Sequence, residues 1–300
     1  MKKSIKQAQW GIAVIAALTL SACDDFNPMS QKGEFYYSNP TTSNISFKVD
    51  DKFYEVLPGQ RDIIKLSSGK HKLENSQGDI FSFMVFDNNN GGIINPDNHV
   101  YYTLSEAYAV EGKADRFKPA TYEVVINGHE LEMAVRSANA TVIDGNIFKC
   151  DYPLGEAFPD SITVNDRKSI GNIQSKCFDK PELVQYIATE YDENISPSTA
   201  DEATQDTVNM PFNYDLPTAD FANPKLQAKA EELLALLKPL QDTNDTDIHE
   251  KLNKQAHQLM MELVDIHANS ASSSGVAENE KYNDFVSKIG ELRGYGIWGR

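Results

Sequence analysis

The sequence predicts an α+β protein: a mainly β N-terminal domain, built as an antiparallel sandwich or small barrel, followed by a C-terminal α-helical segment. Residues 34–178 show short alternating or aromatic runs separated by turn residues, as strands do. After residue 223, apolar residues recur at helical spacing instead. We therefore predict a β-rich domain over 34–191, a linker over 192–222 and a three-helix segment over 223–300.

The first 22 residues have the composition of a secretion signal. A head containing Lys2, Lys3 and Lys6 precedes the 11-residue apolar run Trp10–Leu20. Because a helix needs about 20 apolar residues to span a bilayer, this run is too short for a membrane span. The segment 1–22 is therefore predicted to be a cleaved signal peptide.

Leu20-Ser21-Ala22-Cys23 follows the apolar run directly. This tetrapeptide resembles the lipobox of bacterial lipoproteins. The resemblance implies cleavage before Cys23, lipidation of its thiol with a diacylglycerol, and attachment to a membrane by two or three acyl chains such as palmitate. Several chains on one residue hold a protein stably at a bilayer. The alternative is an ordinary cleaved signal followed by a chance cysteine.

Asp24 and Asp25 come immediately after that cysteine. They resemble the sorting signal that retains enterobacterial lipoproteins in the inner membrane. The resemblance implies a position on the periplasmic face of the inner membrane, with the outer membrane as the alternative. Residues 23–33 are polar and broken by Pro28 and Gly33, and we interpret them as an acylated tether.

Cys150 and Cys177 are the two remaining cysteines. An even pair in an exported protein is most simply a disulfide. We prefer this bridge to two buried free thiols because both residues end strand-like stretches, Gly145–Cys150 and Ile170–Phe178. No second cysteine or histidine lies near either of them at a metal-binding spacing, so no metal is expected.

The most distinctive local signal of the β-rich domain is Asn127-Gly128, a pair that favours two-residue hairpin turns because both positions accept a positive φ. A second hairpin is predicted around Asp144-Gly145. The predicted strands are Ile45–Val49, Phe81–Phe86, Val100–Val110, Thr121–Ile126 and His129–Val135.

Residues 45–73 resemble a PEGA-type module, a small β-domain of envelope proteins. The matching positions are Phe47, Val49, the Asp50-Asp51-Lys52 turn, Tyr54, Pro58-Gly59, Leu66, Gly69, His71 and Leu73. The turn has Asp51 and Lys52 where a glycine is usual, and no tandem copy follows. The resemblance implies a β-module at a surface and no catalytic role.

The C-terminal part is predicted to form three amphipathic helices. Asn223-Pro224 begins the first, which Pro239 ends; Asp247 with Glu250 forms a capping box for the second; Gly294 closes the third. These helices must pack on one another, cover the β-domain or dock on a partner. The predicted apolar positions are Leu226, Ala230, Leu233, Leu234 and Leu237 in the first helix, Ile248, Leu252, Ala256, Leu259, Met260, Leu263 and Ile266 in the second, and Tyr282, Phe285, Val286, Ile289 and Leu292 in the third.

Tyr295, Ile297 and Trp298 lie between glycines at the end of the chain. This segment either folds back onto the β-domain or serves as a docking peptide for a partner. The sequence leaves both alternatives open.

The search for catalytic chemistry finds no hydrolase, phosphate-binding or dinucleotide motif after the predicted cleavage site. The six histidines are predicted to be exposed or to cap helices. Asp87–Gly92 fails the calcium-loop pattern, because glycine stands at its fifth position and Asn98 at its twelfth, and it is interpreted as a long hairpin turn. No cofactor and no metal are expected.

The formal charge is −16, and loss of the three lysines of the signal would make the chain more negative still. Such an acidic chain without a basic stripe is not expected to bind nucleic acid. The leading hypothesis is a non-enzymatic lipid-anchored periplasmic protein that binds another protein, possibly a basic one, as an immunity or inhibitor lipoprotein or as an accessory subunit of an envelope complex. The alternative is a module that binds cell wall or surface glycan, or assists a hydrolase there.

Overall fold

The computed structural model describes residues 6–9, 32–163, 170–270 and 275–299. Antiparallel sheets dominate the first two thirds of the chain and long helices follow them, so the predicted α+β class is confirmed.

Sixteen strands and four α-helices form the described part of the chain, with two short 3-10 turns at Ala114–Arg116 and Glu202–Thr204. The strands are β1 Lys6–Gln9, β2 Glu34–Ser38, β3 Ile45–Val49, β4 Lys52–Val56, β5 Arg61–Lys65, β6 Gly69–Asn75, β7 Ile80–Val85, β8 Gly92–Ile94, β9 Tyr101–Ala109, β10 Tyr122–Ile126, β11 His129–Met133, β12 Val135–Ala138, β13 Val142–Asp144, β14 Ser161–Thr163, β15 Gly171–Phe178 and β16 Ile297–Gly299. The helices are α1 Lys180–Glu190, α2 Pro224–Asp242, α3 Thr246–Ser270 and α4 Val276–Gly294.

The strands form four sheets. One follows the order β12-β9-β1-β14, with β15 on the other edge of β9, and a second is the hairpin β10-β11. The other two follow the orders β13-β8-β2-β5 and β16-β7-β6-β3-β4. The first strand, β1, lies within the predicted signal segment and runs parallel to both β9 and β14.

The described chain divides into two compact units, and each draws on distant parts of the sequence. Unit 1 comprises 1–47, 53–65 and 90–212, and unit 2 comprises 48–52, 66–89 and 213–300. The strands of 66–89 thus belong with the C-terminal helices, and the boundary differs from a simple division between a β-rich domain and a helical segment.

The core of unit 1 lies on both sides of β9. On one side, Leu104 and Tyr108 pack in a cluster with Phe158, Phe178 and helix α1. On the other side, Tyr101 packs with Ile143 and the two cysteines. Because β9 carries large residues at alternate positions facing opposite sides, this one strand contributes to both clusters.

The hairpin at Asn127-Gly128 is confirmed. Ile126 of β10 pairs with His129 of β11, which leaves a two-residue turn. Asn127 has φ 52° and Gly128 has φ 78°, the left-handed values that such a turn requires.

The segment 192–212 differs from the solvated linker that its composition predicts. Its backbone follows unit 1, with Thr207 N donating to Val125 O at 2.8 Å and Met210 N donating to Ser137 O at 2.9 Å. Ile195 is fully buried. Polar composition hid this packing because the segment is anchored mainly through backbone and side-chain hydrogen bonds rather than through an apolar pattern.

Helix α1 was missed in the sequence although its start signal is present. Asp179 caps the helix by accepting a hydrogen bond from Glu182 N at 3.1 Å, and Pro181 lies in the first turn. Leu183 and Ile187 face the core of unit 1. Two buried residues on a helix of 11 residues make a weak periodic signal.

The predicted start of α2 is confirmed, since Asn223 Oδ1 accepts hydrogen bonds from Lys225 N and Leu226 N. Two other helix signals were wrong. Pro239 lies inside α2, which continues to Asp242, because a missing N–H in the last turn removes only one hydrogen bond. Helix α3 is capped by Asp245, which accepts from the N–H groups of residues 247 and 248, and not by the predicted capping box.

Three β predictions were wrong. Residues 145–150 form a turn and an extended loop instead of a strand, and β13 pairs with β8 instead of forming a hairpin after Asp144. The loop Asp87–Gly92 connects strands of different sheets and is therefore not a hairpin turn. A Cβ on Gly91 would stand 2.1 Å from Glu34 O, and one on Gly92 would stand 2.2 Å from Ile143 O, so the glycines permit close backbone approach.

The region that resembles a PEGA-type module consists of strands β3, β4, β5 and β6. These strands are divided between two sheets, because β5 pairs with β2 while the other three belong to the sheet of β7. Residues 45–73 are therefore part of the larger fold and do not form a separate small domain.

Candidate functional site

The predicted lipidation residue Cys23 and the predicted sorting residues Asp24 and Asp25 lie outside the described residues. The same holds for the apolar run 10–20 and for most of the tether. Among the helices that the structure describes, none is both long and apolar enough to cross a membrane.

Cys150 and Cys177 form a disulfide inside unit 1, with their Cα atoms 5.4 Å apart. Both residues are buried. Cys177 is the last residue but one of β15. The loop that carries Cys150 is held to this strand by Asp151 N donating to Ser175 O at 2.7 Å and by Cys177 N donating to Tyr152 O at 2.9 Å. The bridge and these hydrogen bonds together fix a loop that has no strand of its own.

A buried lysine lies beside this bridge. The ammonium of Lys176 donates to Glu182 Oε1 at 2.7 Å, to Cys177 O at 2.9 Å and to Pro153 O at 3.2 Å. It also lies 4.1 Å from the centre of the Phe178 ring. Burial lowers the pKa of Lys176, and the contact with Glu182 partly opposes that effect.

Arg61 of β5 completes the charged cluster around Lys176. Its guanidinium lies 3.2 Å from Asp179, the cap of α1, and 3.4 Å from Glu182. A buried amine with a lowered pKa is the usual form of a nucleophilic lysine. Here all three ammonium protons are donated within the protein, so the cluster fixes the start of α1 rather than presenting a reactive amine.

The structure answers the question that the sequence left open for the C-terminal residues. Tyr295, Ile297 and Trp298 are buried in unit 2, and β16 pairs with β7. The Tyr295 hydroxyl donates to Glu291 Oε1 at 2.7 Å. The segment folds back onto a strand, and the three residues predicted to bind a partner do not form an exposed peptide here.

The prediction of exposed or capping histidines is wrong for His249. Its ring is buried in unit 2 and stacks on Phe86 at 3.4 Å between centroids, while Trp298 meets it edge-on at 6.4 Å. His71 is also largely buried and lies 3.0 Å from the Asp50 carboxylate. Neither burial was visible in the sequence, since His249 packs on Phe86 and Trp298 and the His71 ring packs beside Phe83, on separate strands or loops.

Within 6–9, 32–163, 170–270 and 275–299, no three His, Cys, Asp or Glu side chains are placed to hold a metal ion.

The candidate site with room for a ligand is a groove in unit 2 between α2 and α3, with a volume of about 540 Å³. Its apolar lining residues, here called the floor, are Ala235, Leu236 and Leu259, and its polar lining residues, here called the rim, are Glu232, Gln255, Gln258 and Glu262. We call this the α2–α3 groove. Sequence analysis placed Leu259 on the apolar face of α3 but did not identify the groove, because the relative rotation of two helices is a tertiary property.

Two carboxylates of the rim of the α2–α3 groove form ion pairs with one lysine. Lys229 on α2 lies 2.6 Å from Glu232 and 2.8 Å from Glu262 on α3. This ion pair lowers the pKa of Glu262, so its carboxylate stays ionised at neutral pH. The arrangement offers an apolar floor beside two carboxylates that share one ammonium.

No family model, no curated protein and no solved structure matches this chain.

Proposed function

We propose that this chain is a lipid-anchored envelope protein that binds another protein and catalyses no reaction. Its proposed location is the periplasmic face of the inner membrane. We propose that it acts either as an immunity or inhibitor lipoprotein or as an accessory subunit of an envelope complex.

The observation that carries the proposal is the pairing of the cysteines. The chain has three, and Cys150 and Cys177 are joined to each other inside unit 1. Cys23 is therefore the remaining cysteine, and it directly follows the small residues Ser21 and Ala22 at the end of a short apolar run. A disulfide suits an oxidising compartment, and a remaining N-terminal cysteine suits acylation.

Protein binding is supported by the α2–α3 groove and by the charge of the chain. The groove combines an apolar floor with a polar rim, as the centres and edges of protein interfaces do. The formal charge of −16 favours basic partners over acidic ones.

The anchor is tested by metabolic labelling with a palmitate analogue in the native bacterium. The natural chain should carry the label and sediment with membranes. Cys23→Ser should abolish both the label and the processing, whereas the matched control Cys150→Ser with Cys177→Ser should retain the label. Full membrane association of unlabelled Cys23→Ser would contradict the anchor.

The sorting residues are tested by separating inner from outer membranes. Asp24→Ser with Asp25→Ser should move the labelled chain toward the outer membrane. Unchanged distribution would show that these aspartates do not retain it.

Partner binding is tested by chemical cross-linking in cells, followed by purification from detergent-solubilised membranes. A stoichiometric cross-linked protein is expected. Its absence, together with sedimentation of the purified chain on isolated cell wall, would replace the proposal with a glycan-binding role.

A further inference from the structure

Helix α3 leaves an apolar stripe only partly covered. Ile248 is 49% exposed, and Leu252, Leu259 and Ile266 are half-buried. At about 100° per residue these four positions lie within about 40° of one another around the helix axis. The fully buried positions Ala256 and Leu263 lie beside this stripe. Folding therefore buries one face of α3 and leaves the neighbouring apolar stripe partly exposed, and one residue of this stripe, Leu259, lines the α2–α3 groove.

The spacing of this stripe fits another helix. The positions 252, 259 and 266 are seven residues apart, and the groove-lining positions 255 and 262 repeat at the same interval. A seven-residue repeat presents one continuous seam to a partner helix. On α2 the lining residues 232, 235 and 236 follow three- and four-residue steps. Two helices with such faces form a groove that a third helix can fill.

The charges of the rim indicate what kind of partner helix would bind in the groove. Glu232 and Glu262 share the single ammonium of Lys229, so this triad keeps a formal charge of minus one. Gln255 and Gln258 add hydrogen-bonding groups but no positive charge. An incoming Lys or Arg is therefore attracted, while an incoming acid is repelled. A second copy of this chain, with its charge of −16, is disfavoured as the occupant.

We propose that the α2–α3 groove binds an amphipathic helix of a partner protein, with Leu-type side chains on Leu236 and Leu259 and with Lys or Arg side chains facing Glu232 and Glu262. This inference rests on the proposed protein-binding function and specifies the partner's chemistry. It is the helix-in-groove form of peptide recognition.

The test uses the full chain in phosphatidylcholine nanodiscs and two fluorescent peptides of 18 residues. Both peptides carry the same leucine stripe with one benzophenone in it; one has lysines beside the stripe and the other has glutamates. Anisotropy should show that the lysine peptide binds at least about tenfold more tightly, a difference of about 1.4 kcal/mol. Irradiation should attach it to α2 or α3. Empty nanodiscs correct for binding to lipid.

Groove variants locate the binding. Leu259→Asp should weaken the lysine peptide at least about tenfold, since it places a charge on the apolar floor. Met261→Asp is the matched control, because Met261 is on the same helix, is 50% exposed and does not line the groove, and it should leave the affinity unchanged. Circular dichroism verifies that both variants keep their helices.

Three results would overturn the proposal: equal affinity of the two peptides, an unchanged affinity in Leu259→Asp, or photoproducts outside α2 and α3. Self-association that Leu259→Asp abolishes would instead assign the groove to a second copy. Peptide binding reports on the groove and palmitate labelling of Cys23 reports on the anchor, so an acylated chain that binds neither peptide refutes the groove alone. A chain that binds the lysine peptide without ever being acylated refutes the anchor alone.

Discussion

In unit 1, a disulfide and a buried ion cluster lie where β15 meets α1. In unit 2, stacked aromatic rings lie where β7 meets α3. In unit 1, Lys176 is held by a carboxylate and two carbonyl oxygens. In unit 2, His249 is held between the rings of Phe86 and Trp298. Polar and covalent contacts respond to titration and reduction, while ring packing responds to truncation of a side chain. The two units should therefore unfold in response to different treatments.

The largest expected difference between the units is in alkali. Among the described residues, burial raises the pKa of eight tyrosines in unit 1, and of Tyr282 and Tyr295 in unit 2. For Tyr37 and Tyr101 the pKa is raised to about 12. Above pH 10 the unfolded chain loses tyrosine protons that the folded chain keeps, so stability falls as the pH rises from 10 toward 12.

Hydrogen exchange between pH 9 and 11.5 should thus show unit 1 opening before unit 2, accompanied by tyrosinate absorbance. The effect of several tyrosines adds up, so it should exceed that of any single substitution. Simultaneous opening of the two units, or earlier opening of unit 2, would contradict the comparison.

Removing the Trp298 ring is the next largest change, and it acts on unit 2. Trp298 is buried among Phe86, His249 and Tyr214. Trp298→Ala should lower the free energy of unfolding by about 3–5 kcal/mol. Urea denaturation measures this, with Val276→Ala, a change at a position 76% exposed, as a control expected to shift stability by less than about 0.5 kcal/mol. Equal losses in the two variants would show that the C-terminal strand adds little to unit 2.

Breaking the ion cluster acts on unit 1. Lys176→Met leaves the Glu182 carboxylate, only 17% exposed, with a poorer set of partners. We expect a loss of about 3 kcal/mol. Lys176→Met with Glu182→Leu should recover part of it, because no buried charge then lacks its partner. A double variant less stable than the single one would mean that the charges themselves stabilise the fold.

The smallest expected effect concerns the start of α2. Asn223→Ala removes the side-chain oxygen that accepts from two N–H groups of the first turn. It should cost about 1 kcal/mol, and Asn223→Asp should cost less because aspartate also caps helices. Thermal unfolding followed by helix ellipticity measures both variants. A stable Asn223→Ala would show that tertiary packing alone holds this end of α2.

The sequence predicted turns and helix starts correctly where the backbone conformation depends on neighbouring residues. Asn127-Gly128 specified its hairpin and Asn223-Pro224 specified a helix start, because turn and cap geometry depends on the residues themselves. The sequence did not predict burial that depends on residues far along the chain. Ile195 is buried by residues far along the chain, and the polar composition around it gave no warning.

The candidate site shows the same limit. The apolar positions of α3 were predicted, including Ile248, Leu259 and Ile266, but the sequence does not say which of them the fold covers. Ala256 is buried while Ile248 is half exposed, although the sequence pattern treats both as core. Only the rotation of α3 against α2 separates the core face from the groove face.

The strand β16 pairs with β7, although the two strands are far apart in sequence. Asn88 and Tyr295, joined by a hydrogen bond, are 207 residues apart. Synthesis and any translocation deliver residues in order from the N terminus, so this edge of β7 stays unpaired until residues 297–299 emerge. A chain that stops before residue 297 thus leaves an open strand edge, the kind of surface on which chains adhere to one another.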